Sequence, residues 1–312
     1  MAKVGFDSFC KIVKDLVEAK LPQCDITMQC ITKNNSTEKT CLIIRSKEAN
    51  GIAPCIYLQP YYTEYLNNEE DYEEICMKIL AVYELSKDAK ERSFAWISDY
   101  DQCKDNICFK LVNHALNEAV LCDMPSIPYN DLEIVFYLFV GNEDDNISSI
   151  QITNQLLKSW NVESDKLLEL ALKNTPRLFP MKGSSMASVL YEICKGSEDV
   201  FDDCQEDETF LIVSNAGNVN GASVLLYDDF FERIVAKYPY LRNRKRLIII
   251  PSSIHECLVL DPTNAGNISE LREMVSTINA DEKVIKKEDI LSSSVYYYYP
   301  AEKKLMIAEE DT

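Results

Sequence analysis

The stretch 210–261 constrains the fold of this chain more than any other part of its sequence. Two apolar runs, at 210–213 and 247–250, have the length of buried strands. The segment 222–237 between them carries apolar residues at helical spacing and is predicted to be a helix buried on more than one face. We therefore expect a strand, a helix and a second strand to form the structural centre of the protein.

The beginning of the chain predicts a small unit of its own. Apolar residues at helical spacing predict a helix over 6–17. Residues 24–32 and 40–45 alternate in polarity and flank a polar turn, which is typical of a hairpin. A third short strand is expected at 55–58 and a second helix around 75–83. Together these elements form a helix–hairpin–helix unit.

The middle of the chain mixes strands and helices. Strands are predicted at 107–112 and 133–140. The stretch 121–131 contains two prolines and is predicted to be an extended loop. A helix is expected to start at Ser164 and to end before Pro176, because proline interrupts the helical hydrogen bonds.

The last part of the chain predicts two more helices and a pair of strands. One helix is predicted over 184–195, and Asn267 with Glu270 resembles a capping box at the start of another. Strands are predicted at 294–299 and 304–307. The first of them contains four consecutive tyrosines, which alternate between the faces of a strand, so two are expected in the core and two exposed.

The order of these elements indicates an α+β fold, because strands and helices do not alternate as they would in a doubly wound sheet. We expect mixed sheets with helices packed on them. A polar, irregular stretch at 88–105 separates an N-terminal α+β domain, 1–100, from a larger C-terminal α+β domain, 101–312. A subdivision of the second domain near 181–185 is the alternative.

The charge of the chain restricts its partners. The formal net charge is −19 and the pI is about 4.6. Such a chain repels the phosphates of nucleic acids and the surface of an anionic membrane, so neither is expected as a partner. The longest apolar runs are far shorter than the roughly 20 residues that a membrane span needs. Another protein is the partner class that remains.

The cysteines indicate the compartment. Twelve of them are scattered singly, and no C-x-x-C pair occurs. The sequence does not open with a targeting segment, so we expect a cytoplasmic protein whose thiols stay reduced. Most of the cysteines have apolar neighbours and are expected in the core as small hydrophobic residues.

The densest group of reactive side chains follows the second apolar run and consists of Ser252, Ser253, His255 and Glu256. A serine hydrolase needs a base within hydrogen-bond reach of the hydroxyl and an acid that orients this base. Side chains two apart on a strand stand parallel and do not converge. We therefore favour a structural role at a strand end, with Ser253, His255 and Glu256 as the candidates for catalysis and Ser252 as a candidate for binding. His114 is the only other histidine, so no metal site is expected.

The turn 215–221 lies between a predicted strand and a predicted helix, where phosphate-binding loops occur. A Walker-type loop needs a lysine where Ala222 stands, and a dinucleotide fingerprint is absent, so no cofactor is expected. We assign the two glycines of the turn to permissive backbone angles and its asparagines to turn formation. Asn215, Asn220 and Gly221 are the candidates for binding a small ligand at the start of the helix.

One basic cluster stands out in this acidic chain: Arg242, Arg244, Lys245 and Arg246. It can bind an acidic partner or acidic residues of the same chain, and simple surface exposure is the interpretation we favour. The acidic run at 69–74 is expected to complement the dipole of the helix that follows it. A second acidic run, at 198–208, is expected to be a solvated loop.

A series of short motifs resembles an uncharacterised bacterial family, domain-of-unknown-function family 5688. The resemblance covers about residues 50 to 300 and is densest in the stretch that ends at 256. It is carried by Leu111, Val112, Asn113, Asn117, Leu121, Pro125, Asp131, Leu132, Ile152, Thr153, Asn154, Ala171, Asn174, Thr175, Val213, Ser214, Asn215, Asn220, Gly221, Ala222, the segment 251–256, Met274, Val275, Asn279, Leu291 and Ser292. The resemblance implies a bacterial cytoplasmic protein and supplies no activity.

Two functions of different classes follow from the sequence. The preferred one is a non-enzymatic interaction or accessory protein, because no acid, base, nucleophile or metal set is seen to converge and the chain is acidic and rich in tyrosine. The alternative is a hydrolase or small-ligand enzyme that uses the segment 251–256 and the turn 215–221. The position of the His255 ring separates the two: a ring within about 3 Å of a serine hydroxyl or a second carboxylate in an open cleft favours the enzyme, and a ring buried against backbone counts against it.

Overall fold

The structure is a computed structural model, and it describes residues 3–47, 54–67, 71–88, 94–143, 146–185 and 210–309. The chain divides into two compact units, Met1–Trp96 and Ile97–Thr312. This division lies near the predicted domain boundary at residue 100. In the described part of the chain, no helix is both long and apolar enough to cross a membrane.

The first unit combines helices with an antiparallel sheet. Its elements are α1 (Phe6–Lys20), β1 (Cys24–Thr32), β2 (Glu38–Ser46), β3 (Cys55–Tyr57), α2 (Gln59–Leu66) and α3 (Tyr72–Asp88). β2 lies between β1 and β3. The predicted helices, hairpin and third strand are confirmed. α2 is an addition, and Pro60 stands in its first turn, where the missing N–H of proline has no intrahelical acceptor to lose.

The apolar stripe of α1 forms the centre of this unit. Phe9, Cys10, Val13 and Val17 are buried, as the helical spacing predicts. They pack with buried residues of the sheet and of α3 in one hydrophobic core. The unit therefore has a core of its own.

The second unit contains two antiparallel sheets and the helices that pack on them. Its elements are α4 (Tyr100–Cys103), β4 (Ile107–Asn113), α5 (His114–Leu121), β5 (Ser126–Tyr129), β6 (Leu132–Glu143), β7 (Asn146–Gln151), α6 (Asn154–Trp160), α7 (Ser164–Leu178), β8 (Met181–Ser185), β9 (Phe210–Asn215), α8 (Phe230–Lys237), β10 (Leu247–Ile250), β11 (Cys257–Leu260), α9 (Ile268–Asn279), β12 (Tyr296–Tyr299) and β13 (Lys304–Ile307). The α+β class is confirmed. Mixed sheets are not seen, because every strand pair in the described residues is antiparallel.

The smaller sheet of this unit is built around β6, which pairs with β4, β5 and β7. β5 lies inside the stretch 121–131 that was predicted to be a loop, and this prediction is wrong. Its proline, Pro128, is tolerated because β5 pairs with β6 on one side only, so no second ladder needs the missing N–H.

The larger sheet has the strand order β13-β12-β10-β11-β9-β8. β10 and β11 form a hairpin whose connection is the segment 251–256. α9 begins after Asn267, whose side chain accepts a hydrogen bond from the N–H of Ser269 at 2.8 Å, so Asn267 is confirmed as the cap. Among the described hydrogen bonds, none joins Glu270 to the N–H of Asn267, so the reciprocal half of a capping box is not seen. The residues predicted to subdivide the second domain, 181–185, form the edge strand β8 of this sheet.

The predicted helix over 222–237 is wrong in its first half. Residues Gly221–Leu226 form 3-10 turns, Tyr227 is extended with φ −75° and ψ 134°, and α8 starts only at Phe230. The hydroxyl of Tyr227 donates to the carbonyl of Phe179 at 2.8 Å inside the core. Consecutive residues from Ala222 to Leu225 are buried, so their apolar character reflects burial on all sides and not one face of a helix.

Two further expectations are corrected. α7 runs through Pro176 to Leu178, because a proline in the last turn interrupts few of the helical hydrogen bonds. Three of the four tyrosines in β12 are buried, with Tyr296 0%, Tyr297 5% and Tyr298 2% exposed. α9 residues pack with Tyr297 on one face of the sheet, and the ring of Phe230 lies 4.9 Å from that of Tyr298 on the other.

Several expectations concern residues outside the described ranges. The helix over 184–195 lies outside them except for its first two residues, which belong to β8. The acidic run at 198–208, part of the run at 69–74, and Cys194 and Cys204 also lie outside. Of the ten cysteines within the described ranges, seven are buried, which confirms the expected placement for those seven.

Candidate functional site

The segment 251–256 forms the tight connection between β10 and β11. The Ser252 hydroxyl donates to Glu256 Oε1 at 3.1 Å, and the backbone N–H of His255 donates to Ser253 Oγ at 3.0 Å. The N–H of Ser253 donates to the carbonyl of Glu256 at 3.2 Å. The polar groups of the predicted catalytic candidates are thus used to close this turn.

The His255 ring is held at both nitrogens. Nδ1 accepts the backbone N–H of Asn220 at 3.3 Å, which leaves the ring proton on Nε2. Nε2 in turn donates to Asp289 Oδ1 at 3.3 Å. The structure therefore brings His255 together with Asn220 and Asp289. Among the described hydrogen bonds, none joins this ring to a serine hydroxyl, so the geometry gives no support to a nucleophile–base pair. The second carboxylate that would favour an enzyme is present, because Asp289 pairs with the ring and so supplies an orienting acid without a nucleophile.

Gly221 lies where the turn 215–221 meets the β10–β11 connection. The Ser214 hydroxyl donates to the carbonyl of His255 at 2.7 Å across this contact. A Cβ atom on Gly221 would lie 2.1 Å from both the His255 carbonyl oxygen and Ser214 Oγ. The glycine is required by this close approach, and not by a permissive backbone angle as predicted from the sequence, since its φ is not positive.

The asparagines of the turn provide its unusual backbone angles. Asn218 and Asn220 have φ of 52° and 53°, in the left-handed region that asparagine tolerates. Asn215 is 1% exposed and donates from Nδ2 to the carbonyl of Val219 at 2.9 Å. Its Oδ1 is buried without a hydrogen-bond partner in the described part of the chain. The binding candidates Asn215, Asn220 and Gly221 therefore close the turn on itself.

Two arginines of the basic cluster, Arg244 and Arg246, contact other residues of the same chain. Arg244 Nη2 lies 2.6 Å from Asp261 Oδ2, and the Asp261 side chain is 3% exposed. Burial opposes ionisation of this carboxyl, but hydrogen bonds from Thr263 and from Arg244 hold the pKa of Asp261 below its ordinary value. The guanidinium of Arg246 lies 4.1 Å from the ring centroid of Tyr297. The alternative that these arginines meet acidic residues of their own chain holds for Arg244.

A second polar cluster was missed from the sequence. Asp131, in the turn between β5 and β6, accepts hydrogen bonds from Ser292 at 2.6 Å, from Ser294 at 3.0 Å and from Tyr296 at 2.5 Å. Burial, followed by the charge of Asp131, raises the pKa of Tyr296 above its ordinary value. The cluster ties the turn before β6 to the strand β12.

His114 lies beside this cluster. It is the first residue of α5, and its backbone N–H donates to the carbonyl of Asp131 at 3.0 Å. Its ring Nδ1 lies 2.8 Å from Glu133 Oε1. The Glu133 side chain is 4% exposed, whereas the His114 side chain is 57% exposed. A buried carboxylate therefore orients an accessible imidazole.

The residues around Asp131 and His114 are far apart in the sequence, so their spacing does not show that they meet in the fold. One signal was available: Asn113, Asn117, Asp131 and Ser292 all belong to the residues that carry the family resemblance. In the described residues, no group of three or more histidine, cysteine, aspartate or glutamate side chains is arranged to hold a metal ion.

Comparison with known proteins gives one match. No curated protein and no solved structure matches the chain. The model of one protein family, DUF5688, described as a family of unknown function, matches residues 6–299. The match begins earlier than the resemblance seen in the sequence and includes β1 to β12. Because it covers most of the 312 residues, the chain belongs to the DUF5688 family.

Proposed function

We propose that this protein is an interaction protein of the bacterial cytoplasm that binds an extended segment of a partner protein along β1. The observation that carries the proposal is the free edge of this strand. In the described residues β1 pairs with β2 alone, so one side of its backbone has no neighbouring strand. An extended peptide adds to such an edge through main-chain hydrogen bonds.

The hydrogen bonds at the two ends of the β1–β2 pairing show which backbone groups of β1 face β2 and which point away from it. The N–H of Lys33 donates to the carbonyl of Thr37 at 2.7 Å, and the N–H of Lys47 donates to that of Gln23 at 3.2 Å. Antiparallel pairs alternate between bonded and non-bonded, and the register is continuous between these two ends. The N–H and C=O groups that point away from β2 therefore belong to Ile26, Met28, Cys30 and Thr32.

The edge lacks the features that usually block strand addition. Residues 26–32 contain no charged side chain and no proline, and the pairing with β2 contains no bulge. The four residues from Thr27 to Cys30 are all exposed, so both faces of the strand are accessible as well as its edge. Met28 is 44% exposed and offers an apolar contact. This combination is typical of a strand that receives a partner.

The charge of the chain selects the partner. A net charge of −19 attracts a basic segment and repels nucleic acid and anionic membranes. The occupant we propose is therefore an extended, basic segment of another protein with an apolar side chain to place beside Met28.

The test replaces Met28, whose backbone N–H points away from β2, with proline. In Met28→Pro the lost N–H is not bonded to β2, so the fold is expected to persist while strand addition is blocked. Immobilised full-length protein should capture a basic protein from native host extract when it carries wild-type Met28 or Met28→Leu. Met28→Pro should lose this capture.

A matched control separates folding from binding. Gln29→Pro removes an N–H that faces β2, so this variant should lose thermal stability, whereas Met28→Pro should keep it. The proposal fails if Met28→Pro captures the same protein as wild type. It also fails if the captured protein leaves the amide hydrogen exchange of Met28 and Cys30 unchanged.

A further inference from the structure

The two histidines of this chain differ in the freedom of their rings. Both ring nitrogens of His255 have hydrogen-bond partners, as described above. His114 has a partner at Nδ1 only, and no described residue is hydrogen-bonded to its Nε2. Since its side chain is 57% exposed, a solute can reach the Nε2 atom of His114.

Glu133 fixes the proton on the His114 ring. An ionised carboxylate only accepts hydrogen bonds, so the 2.8 Å contact places the proton of the neutral imidazole on Nδ1 and the lone pair on Nε2. Glu133 Oε2 is buried and has no partner within the described ranges. His114 is therefore the group that compensates this buried carboxylate, which keeps the ring in place.

The backbone under the ring is also held. Asn113 caps α5, because its Oδ1 accepts the N–H of Leu116 at 2.9 Å. Its Nδ2 donates to the carbonyl of Leu291 at 3.0 Å. With the bond from His114 N–H to Asp131, these contacts fix the start of the helix to both neighbouring chain segments. The imidazole is thus presented from a rigid support, which an active nucleophile requires.

We propose that His114 is a nucleophilic imidazole that accepts acyl groups from neutral, activated esters, with Glu133 as its positioning residue. No described hydroxyl or thiol is bonded to the ring, so the attacking atom is Nε2 itself and not a serine that the ring activates. A neutral ester is favoured over a phosphoryl donor, because the net charge of −19 and the adjacent Asp131 and Glu133 repel an anionic electrophile.

The step balances with the groups present. The Nε2 lone pair attacks the ester carbonyl, the bond from the carbonyl carbon to the ester oxygen breaks, and the alcohol or phenol leaves as its anion. The resulting acyl-imidazolium keeps its proton on Nδ1, hydrogen-bonded to Glu133. Water then attacks the carbonyl carbon of the acyl-imidazolium and the bond from this carbon to Nε2 breaks. The carboxylic acid and the neutral ring are released, and the remaining proton of the water passes to solvent, where it balances the charge of the departed anion. The site uses no residue of β1 and does not depend on partner binding.

The test compares hydrolysis of p-nitrophenyl acetate by full-length variants. His114→Gln should lower the protein-dependent rate roughly ten-fold or more. The matched control is His114→Gln combined with Lys158→His, which carries an ordinary exposed imidazole on α6 and should remain close to His114→Gln. The proposal is overturned if His114→Gln is as fast as wild type, or if the double variant restores the wild-type rate.

A second measurement tests the positioning role of Glu133. Glu133→Gln should lower the rate about ten-fold while the thermal unfolding curve shows a folded protein. The ¹⁵N chemical shifts of the neutral His114 ring should report the Nδ1–H tautomer in wild type and a shift toward the Nε2–H tautomer in the variant. An unchanged tautomer together with an unchanged rate would remove Glu133 from the proposal. Capture of a partner by β1 should be unaffected in these variants, so the two proposals can fail separately.

Discussion

Gly221 shows how a single residue can be fixed by space alone. The carbonyl of His255 and the hydroxyl of Ser214 occupy the volume that any side chain at this position would need. The contact joins β9 to the β10–β11 connection, so a change at residue 221 acts on both of these segments. The neighbouring position 220 is constrained by its backbone instead, because its φ of 53° lies in the left-handed region that asparagine tolerates.

We expect Gly221→Ala to destabilise the second unit by about 1–3 kcal/mol, because the added Cβ forces the backbone apart. Urea unfolding followed by tryptophan fluorescence measures this loss, since Trp160 is nearly buried in the same unit. Gly183→Ala is the control, because its Cβ would meet its nearest atoms at an ordinary 3.8 Å. Equal unfolding midpoints for the two variants would contradict the explanation.

At this scale the sequence shows which residues are reactive but not which of them converge. Ser253, His255 and Glu256 are close in sequence, yet the His255 ring binds Asn220 and Asp289. His114 and Glu133 are separated by a helix and a strand and meet because β6 turns back along β4. Local spacing carries no information on such a contact, so the sequence does not point to His114, the more exposed of the two histidines.

The β10–β11 hairpin is held at its open end by an ion pair between a buried carboxylate and a partly exposed arginine. Arg244 precedes β10 and Asp261 follows β11, so their contact joins the two strand ends. Asp261 has a pKa below its ordinary value in the folded protein. Such a carboxyl adds stability at pH values above its unfolded pKa, and this stability is lost as the pH falls through the folded pKa.

We expect Arg244→Gln to reduce stability at pH 7 and to weaken the dependence of stability on pH below about 4. The reason is that Asp261 loses the cation that favours its ionised form. Urea midpoints at neutral and acidic pH, compared with wild type, measure the difference. Arg242→Gln, at an exposed neighbouring position, should follow the wild-type pH dependence. If it departs from wild type as much as Arg244→Gln does, the ion pair is not the cause.

Elements with a clear period were predictable and elements shaped by tertiary contacts were not. α1 matches its pattern because it has one buried and one exposed face, and the β1–β2 hairpin was marked by the polar turn between its two strands. β5 was hidden by its prolines, which an edge strand tolerates. The segment Gly221–Leu226 and the tyrosines of β12 are buried on more than one side, so a pattern that assumes one apolar face misplaces them.

The charge of the whole molecule opposes its compact state. With 51 acidic and 32 basic residues, the folded chain holds many like charges close together. Exposed ion pairs such as that between Lys166 and Glu169 compensate little of this repulsion.

We therefore expect added salt to stabilise the protein. Raising NaCl from about 0.01 M to about 1 M shortens the screening length from about 30 Å to about 3 Å and should raise the thermal unfolding midpoint. Differential scanning calorimetry at several concentrations measures the change. A midpoint that falls with salt would mean that attractive pairs outweigh the repulsion.

The strand order of the larger sheet has a consequence for synthesis on the ribosome. β10 is buried at all four of its residues, and one of its two neighbours is β12, whose Tyr298 pairs with Leu247, 51 positions earlier (298 − 247). At about 5–20 residues per second, β10 leaves the ribosome roughly 3 to 10 seconds before that neighbour does. During this interval the nascent chain exposes an apolar strand, which makes it a substrate for chaperones.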